Sequence, residues 1–425
     1  MARLSLFNVP KRAFSKGPTP FVVIFSLYVV FQLISFPLNM LLPDALFAFF
    51  EEITGAYFVN IAYVASVVTF FLLLLGYYAL PCRYWARKFQ KKNITDCPDA
   101  KVVRLWFVSA TAIIALCLVA YVRMGFRIPL LMAVSMSGLD ALSLRFESSN
   151  AIGTEIVVLC QYLFLPFNTL IVFGIATKRH PLLMLGTVGL YLLVGLFTLE
   201  RSTLVIPVLV YFAARMSLKP MQWTSLLRPF LIALGLSGSM VAFSHFGSTK
   251  DLGSLMSLFV GRLVHGQWLG LPAYLWHYNN MSIELSSVVH PYLKALFQLK
   301  DTVTPGTELM MTIYPAAVAS DTVGNIPTLF IGEAYAIGGW LMVGFAIVHV
   351  ILFIGTCAWM FTKIRKTPAT CVLYGIVVVK ISMGLVLGYS MFMFSALTVL
   401  VCVILFYVLL LTVCNQNTHF AKVQN

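Results

Sequence analysis

Long apolar stretches separated by short polar and basic clusters dominate the chain. A hydrocarbon core about 30 Å thick takes roughly 20 apolar residues as a helix, so charge-free runs near that length mark candidate spans. About ten occur, near residues 20–42, 55–80, 105–122, 155–176, 181–199, 203–218, 229–246, 328–358, 371–388 and 391–413. The pattern predicts an all-α polytopic membrane protein of about ten transmembrane helices, one integral-membrane domain over residues 1–425. Arg215 shortens the sixth run. The first exceeds the apolar region of a cleaved leader, and no small-x-small site follows it, so it is expected to stay as a signal anchor.

Composition agrees. Hydrophobic residues make up 60% of the chain and charged residues 10%, against about 25% charged in a soluble domain. A water-soluble enzyme is excluded. The net charge of +14 would suggest nucleic acid if it lay on one soluble module, but its distribution follows the membrane instead. With both termini on one side, 20 Lys and Arg residues fall on that side and eight on the other, with Lys380 in mid-span. Basic residues are retained on the cytoplasmic side, so both termini are expected to be cytoplasmic and nucleic acid is not an expected partner. All eight cysteines fall in spans or inner loops, where pairing is disfavoured. No CxxC or HExxH spacing supports a metal site, and no cofactor is expected.

Two long insertions fall on the outer side, and long loops of this kind are usually functional. The first, 123–153, contains RIPLLMAVSMSGLDALSLRF, whose apolar spacing suits a helix in the membrane interface. It reads as either a lipid-surface strut or a substrate contact. The second, 247–326, carries His265, His277 and His290 with Trp268, Tyr274, Trp276, Tyr278 and Tyr292. Its run SLMSLFVGRLVHGQWLGLPAYLW is almost a span, yet one more crossing would invert the downstream charge bias, so a re-entrant or interfacial helix is expected. Arg262 and His265, three apart, share one face of that helix. These aromatics and histidines equally suit a headgroup belt.

Ionisable residues in apolar runs need a partner or a wet cavity. Glu200 and Arg201 occupy the tight FTLERSTLVIP turn at an outer mouth, and Glu333 occupies IPTLFIGEAYAIGGWLMVGF among glycines. Glu333 is a candidate base, or else pairs with an outer Arg to close the bundle. Lys380 suits snorkelling or an ion pair. Five outer arginines, with their planar forks, suit phosphate or carboxylate, and the aromatics suit sugar rings. A lipid-linked, phosphate-bearing sugar is the substrate these features favour.

In GFRIPLL, LERSTL, the long outer loop and PTLFIGEAYAIGGWLMVG, and in the spacing of Arg127 to Gly138, the chain resembles the Wzy-type oligosaccharide repeat unit polymerases, the O-antigen polymerase family of bacterial inner membranes. The resemblance implies a metal-independent, GT-C-like glycosyltransferase acting at the outer leaflet. It would move a growing glycan from undecaprenyl diphosphate onto an incoming lipid-linked repeat, with membrane lipids and a chain-length regulator protein as further partners. On this reading Arg201, Arg262, Arg145 and Arg127 hold the diphosphate, and Glu333 or a loop histidine, His265 foremost, accepts the proton. An O-antigen ligase acting on lipid A core and a secondary transporter are the alternatives.

Overall fold

Buried in lipid, a backbone must satisfy its own N–H and C=O groups, and helix does this within one segment. Helix is the only regular structure among the described residues. The computed structural model describes residues 19–41, 45–94, 99–134, 144, 152, 181–198, 202–218, 231, 235, 269–289, 303–314, 326, 328–390 and 392. In chain order these form α1 (Val22–Tyr28), a π-helical segment (Val29–Leu33), α2 (Ser35–Leu41), α3 (Ala45–Ala79), α4 (Cys82–Lys91), α5 (Asp99–Arg123) and α6 (Pro129–Val134). They continue with α7 (Pro181–Thr198), α8 (Ser202–Leu218), α9 (Gly270–His277), a 3₁₀ turn (Leu285–Val288), α10 (Pro305–Ile313), α11 (Phe330–Lys363) and α12 (Pro368–Leu387).

Four helices among the described residues are long and apolar enough to cross a membrane, within α3, α5, α11 and α12; α7 and α8 contain shorter apolar helices. The predicted run 155–176, all but residues 231 and 235 of the run 229–246, and all but residue 392 of the run 391–413, lie outside the described residues.

Exposure separates the lipid-facing helices from the centre. On α11, Leu341, Phe345, Val348, Leu352 and Trp359 form an exposed apolar stripe at helical spacing. By contrast α12 is buried along almost its whole length, packed against α1, α8 and α11. Its Gly375 allows the closest approach: an added Cβ would lie 2.6 Å from the Val210 carbonyl oxygen of α8. Small residues let apolar helices touch backbone to backbone where no hydrophobic effect drives them together. Beside Gly375, the buried Tyr374 ring contacts Phe21, Phe89 and Phe361, at centroid distances of 5.5, 5.4 and 4.4 Å. A second, smaller core joins α5 to α7 through Trp106, Ile113, Cys117, Leu190 and Val194, with the Trp106 indole N–H donating to Thr187 Oγ1 at 2.9 Å. The described cysteines, Cys82, Cys117, Cys357 and Cys371, are buried and form no disulfide among the described residues.

One end of the bundle is held by lysines. Helix C-termini leave carbonyls without intrahelical partners and carry partial negative charge, which an ammonium satisfies. Lys92 Nζ donates to the carbonyls of Thr362 and Ile364, at 2.6 and 2.8 Å. Lys366 Nζ, only 2% exposed as a residue, donates to Gln90 and Leu218, at 2.6 and 3.2 Å. Three helix ends, those of α4, α8 and α11, are thereby joined.

Candidate functional site

The opposite end of the bundle is built on glycine breaks. Within α11, Gly338 (φ −160, ψ 33) and Gly339 (φ 61, ψ −154) leave helical geometry. The Gly339 conformation is close to one that only glycine adopts readily. The break corrects the expected single span over 328–358. Residues 340–363 alone are about 36 Å long and suffice to cross, while 330–337 form a separate short helix carrying Glu333. Ala336, at the open end of this short helix, accepts a hydrogen bond from the Ile283 N–H at 2.9 Å. Tyr335 donates to Asn279 Oδ1 at 3.3 Å and rests against Trp340. The segment 279–284 therefore lies over the break.

Glu333 is 3% exposed. Its Oε2 accepts the Ser390 N–H at 2.6 Å and its Oε1 accepts the Ser390 hydroxyl at 3.0 Å, with a further bond from the Tyr389 backbone. Helix resumes at Tyr389 just after Gly388 (φ 136), so the carboxylate caps the start of a helical turn, where unpaired N–H groups and the dipole favour an anion. A Cβ on Gly388 would come 2.7 Å from Glu333 Oε1, so the close approach needs glycine. Among the described residues, the partners of Glu333 are thus the Ser390 hydroxyl and two backbone amides.

Above this anchor, α9 packs against α3, α10 and α11. Phe49 at the start of α3 stacks on Tyr314, beyond the C-terminus of α10, at 5.5 Å. Thr304 caps α10 by accepting the Thr307 N–H, Pro305 sets its first turn, and Glu308 falls in that turn. Tyr278 Oη lies 3.1 Å from both Glu308 Oε2 and the Pro305 carbonyl. Burial, together with the Glu308 charge, holds the Tyr278 hydroxyl well above its ordinary range. His277 Nε2 stands 3.8 Å from Glu308 Oε1, an ion-pair distance when the ring is protonated. Among the described residues, His277 Nε2, Tyr274 Oη and Thr328 Oγ1 are buried and find no hydrogen-bond partner. Unsatisfied polar atoms of this kind are costly and call for a water or a ligand group.

Of the sequence-predicted residues, the structure brings Glu333 to this end of the bundle and describes Arg127 as exposed, just past a turn in which Gly125 and Phe126 have positive φ. Arg145, Arg201, Arg262 and His265 lie outside the described residues. Arg123 closes the first insertion, donating to the Ile152 carbonyl at 2.8 Å. Lys380 is half-buried on α12 and has an interaction partner. Sequence reasoning missed Ser390, Gly388 and Glu308. The Thr304-Pro305-Gly306-Thr307-Glu308 start signal was available for Glu308, whereas nothing local marks Ser390 as a partner of Glu333.

Fold and site together define a helical membrane protein with one lysine-tied end and one polar, glycine-broken end. No protein-family model, curated protein or solved structure matches the chain.

Proposed function

We propose that this chain is a polymerase of lipid-linked oligosaccharide repeat units, working at the outer leaflet of a bacterial inner membrane. The observation that carries the reading is the convergence of Glu333, His277 and Glu308 on the buried hydroxyls of Tyr274 and Tyr278, at the end of the bundle away from Lys92 and Lys366. In the proposed step an acceptor sugar hydroxyl attacks the anomeric carbon of the donor glycan. The bond from that carbon to the diphosphate breaks, and undecaprenyl diphosphate leaves. The hydroxyl proton passes to a base, for which a loop histidine is suited, His277 beside Glu308 or His265. Arginines 127, 145, 201 and 262 are proposed to hold the diphosphate, stabilising its developing charge without a metal. Glu333, with both carboxylate oxygens engaged, is better suited to orienting the acceptor end of the site than to accepting the proton.

Purified protein is expected to extend a lipid-linked repeat unit in excess EDTA. Arg201→Lys and Arg262→Lys should each lose most of that activity at unchanged expression, since Lys keeps the charge but not the planar fork. His277→Gln should lower the rate about 10²-fold or more if His277 is the base. Restoration of an EDTA-silenced protein by magnesium, or full activity in both arginine variants, would overturn the reading.

A second reading, a secondary transporter, is favoured by the paired breaks at Gly338–Gly339 and Gly388, because transporters hold substrate at interrupted helices. Those breaks lie at the ends of full-length spans rather than at their middle, which favours a surface reaction. Solute uptake by sealed proteoliposomes lacking any lipid-linked sugar would decide for transport.

A further inference from the structure

The lysine-rich end holds more positive charge than its helix ends use. On α4, Cys82, Ala86 and Phe89 are buried along one face, and Arg83, Arg87, Lys88 and Lys91 occupy the rest. Lys92 and Lys366 turn inward onto carbonyls, while Lys88, Lys91, Lys363 and Arg365 reach the surface. Lys88 and Lys363 both act electrostatically on Lys92, so like charges from α4 and from the end of α11 share one locality. No Asp or Glu occurs in residues 82–94 or 363–367. An anion from outside the chain would relieve that repulsion.

Exposed aromatics sit at the same level. Lys363 Nζ lies 5.4 Å from the ring centre of Trp359, which is 45% exposed, and Arg83 lies 5.8 Å from that of Tyr78, which is 52% exposed. Amphipathic rings of this kind belong at the depth of lipid headgroups, and a basic amphipathic helix between them belongs in the interface plane. The apolar stripe of α11 continues directly from this level, so the anion must come attached to a hydrocarbon phase. A nucleic acid or an acidic protein would meet that apolar stripe.

We propose that this end is a binding site for anionic phospholipid headgroups, with Lys88, Lys91, Lys363 and Arg365 as the contacting cations and Trp359 and Tyr78 setting the depth. The site is independent of any reaction at the other end.

The test uses the full chain in micelles of a neutral detergent, with phosphatidylglycerol, phosphatidylcholine or inorganic phosphate added at equal concentration. Thermal unfolding and retained lipid, by native mass spectrometry, are the readouts. Phosphatidylglycerol should raise the midpoint by about 3 °C or more and stay bound, and the other two should do neither. The combined variant Lys88→Gln, Lys91→Gln, Lys363→Gln, Arg365→Gln should lose most of that shift. In the unaltered protein the preference should fade in about 0.5 M salt, which gives a readout should the variant not fold. Equal stabilisation by phosphatidylcholine, a full shift from inorganic phosphate, or a preference unchanged by salt would overturn the proposal.

Discussion

Glu333 illustrates how a buried carboxylate is made tolerable. Stripped of water, an anion needs several donors at once, and Ser390 supplies two while the Tyr389 backbone supplies a third. Glutamine at this position keeps the shape, but its NH₂ group would face a donor on one side. Glu333→Gln is therefore expected to lower stability by about 1–3 kcal/mol, and Ser390→Ala by less. Gly388→Ala should cost at least as much as Glu333→Gln, because it combines a positive φ with a Cβ pressed into the carboxylate. Denaturant unfolding of the three variants measures this order. A Gln variant as stable as the parent would remove Glu333 from its capping role, and its rate of glycan extension, measured alongside, would separate chemistry from packing.

Among elements, the joint between α4, α8 and α11 turns on Lys366. Replacing it by Met removes the donor to the Gln90 and Leu218 carbonyls and should cost about 2–3 kcal/mol. Burial, chiefly by desolvation, holds Lys366 below its ordinary value of 10.5. The unfolded chain then binds this proton more tightly than the folded one. The side chain's contribution is complete above 10.5 and is reduced as the pH falls through the lowered folded value. The stability gap between the parent and Lys366→Met should accordingly widen as the pH is raised towards 10.5, and a gap that narrows would contradict this assignment. The same logic of close fit operates between α8 and α12, where only glycine at 375 leaves room for the Val210 carbonyl.

For the molecule as a whole, polarity along the bundle axis is the organising feature. Lysines gather at one end and the carboxylates Glu308 and Glu333 at the other. By the positive-inside rule the lysine end is expected to face the cytoplasm, and the segment that holds Ser286 the other side. A cysteine at Ser286 is expected to react with a membrane-impermeant thiol reagent in cells stripped of their outer membrane. Labelling only after lysis would reverse the orientation, and the outer-leaflet reaction would go with it.

Long apolar runs located the long described helices, because lipid leaves a buried backbone almost no other option: those at 181–199, 203–218 and 371–388 match α7, α8 and α12 within a few residues, and that at 55–80 matches the part of α3 that follows its non-helical Gly55. The clustering of lysines near residues 83–104 and 363–366 was equally legible, since charge cannot hide from the bilayer. Periodicity could not divide the 328–358 run at Gly338–Gly339, since an apolar stretch reads the same whether it is one helix or two. Glu333 stood out as a costly intramembrane acid, but its partner lies 57 residues away across a helix break. The meeting of His277, Tyr278 and Glu308 likewise depends on how α9 and α10 pack. Which residues must be helical follows from local chemistry, whereas which polar groups satisfy one another is set by contacts distant in sequence, and only the tertiary structure decides those.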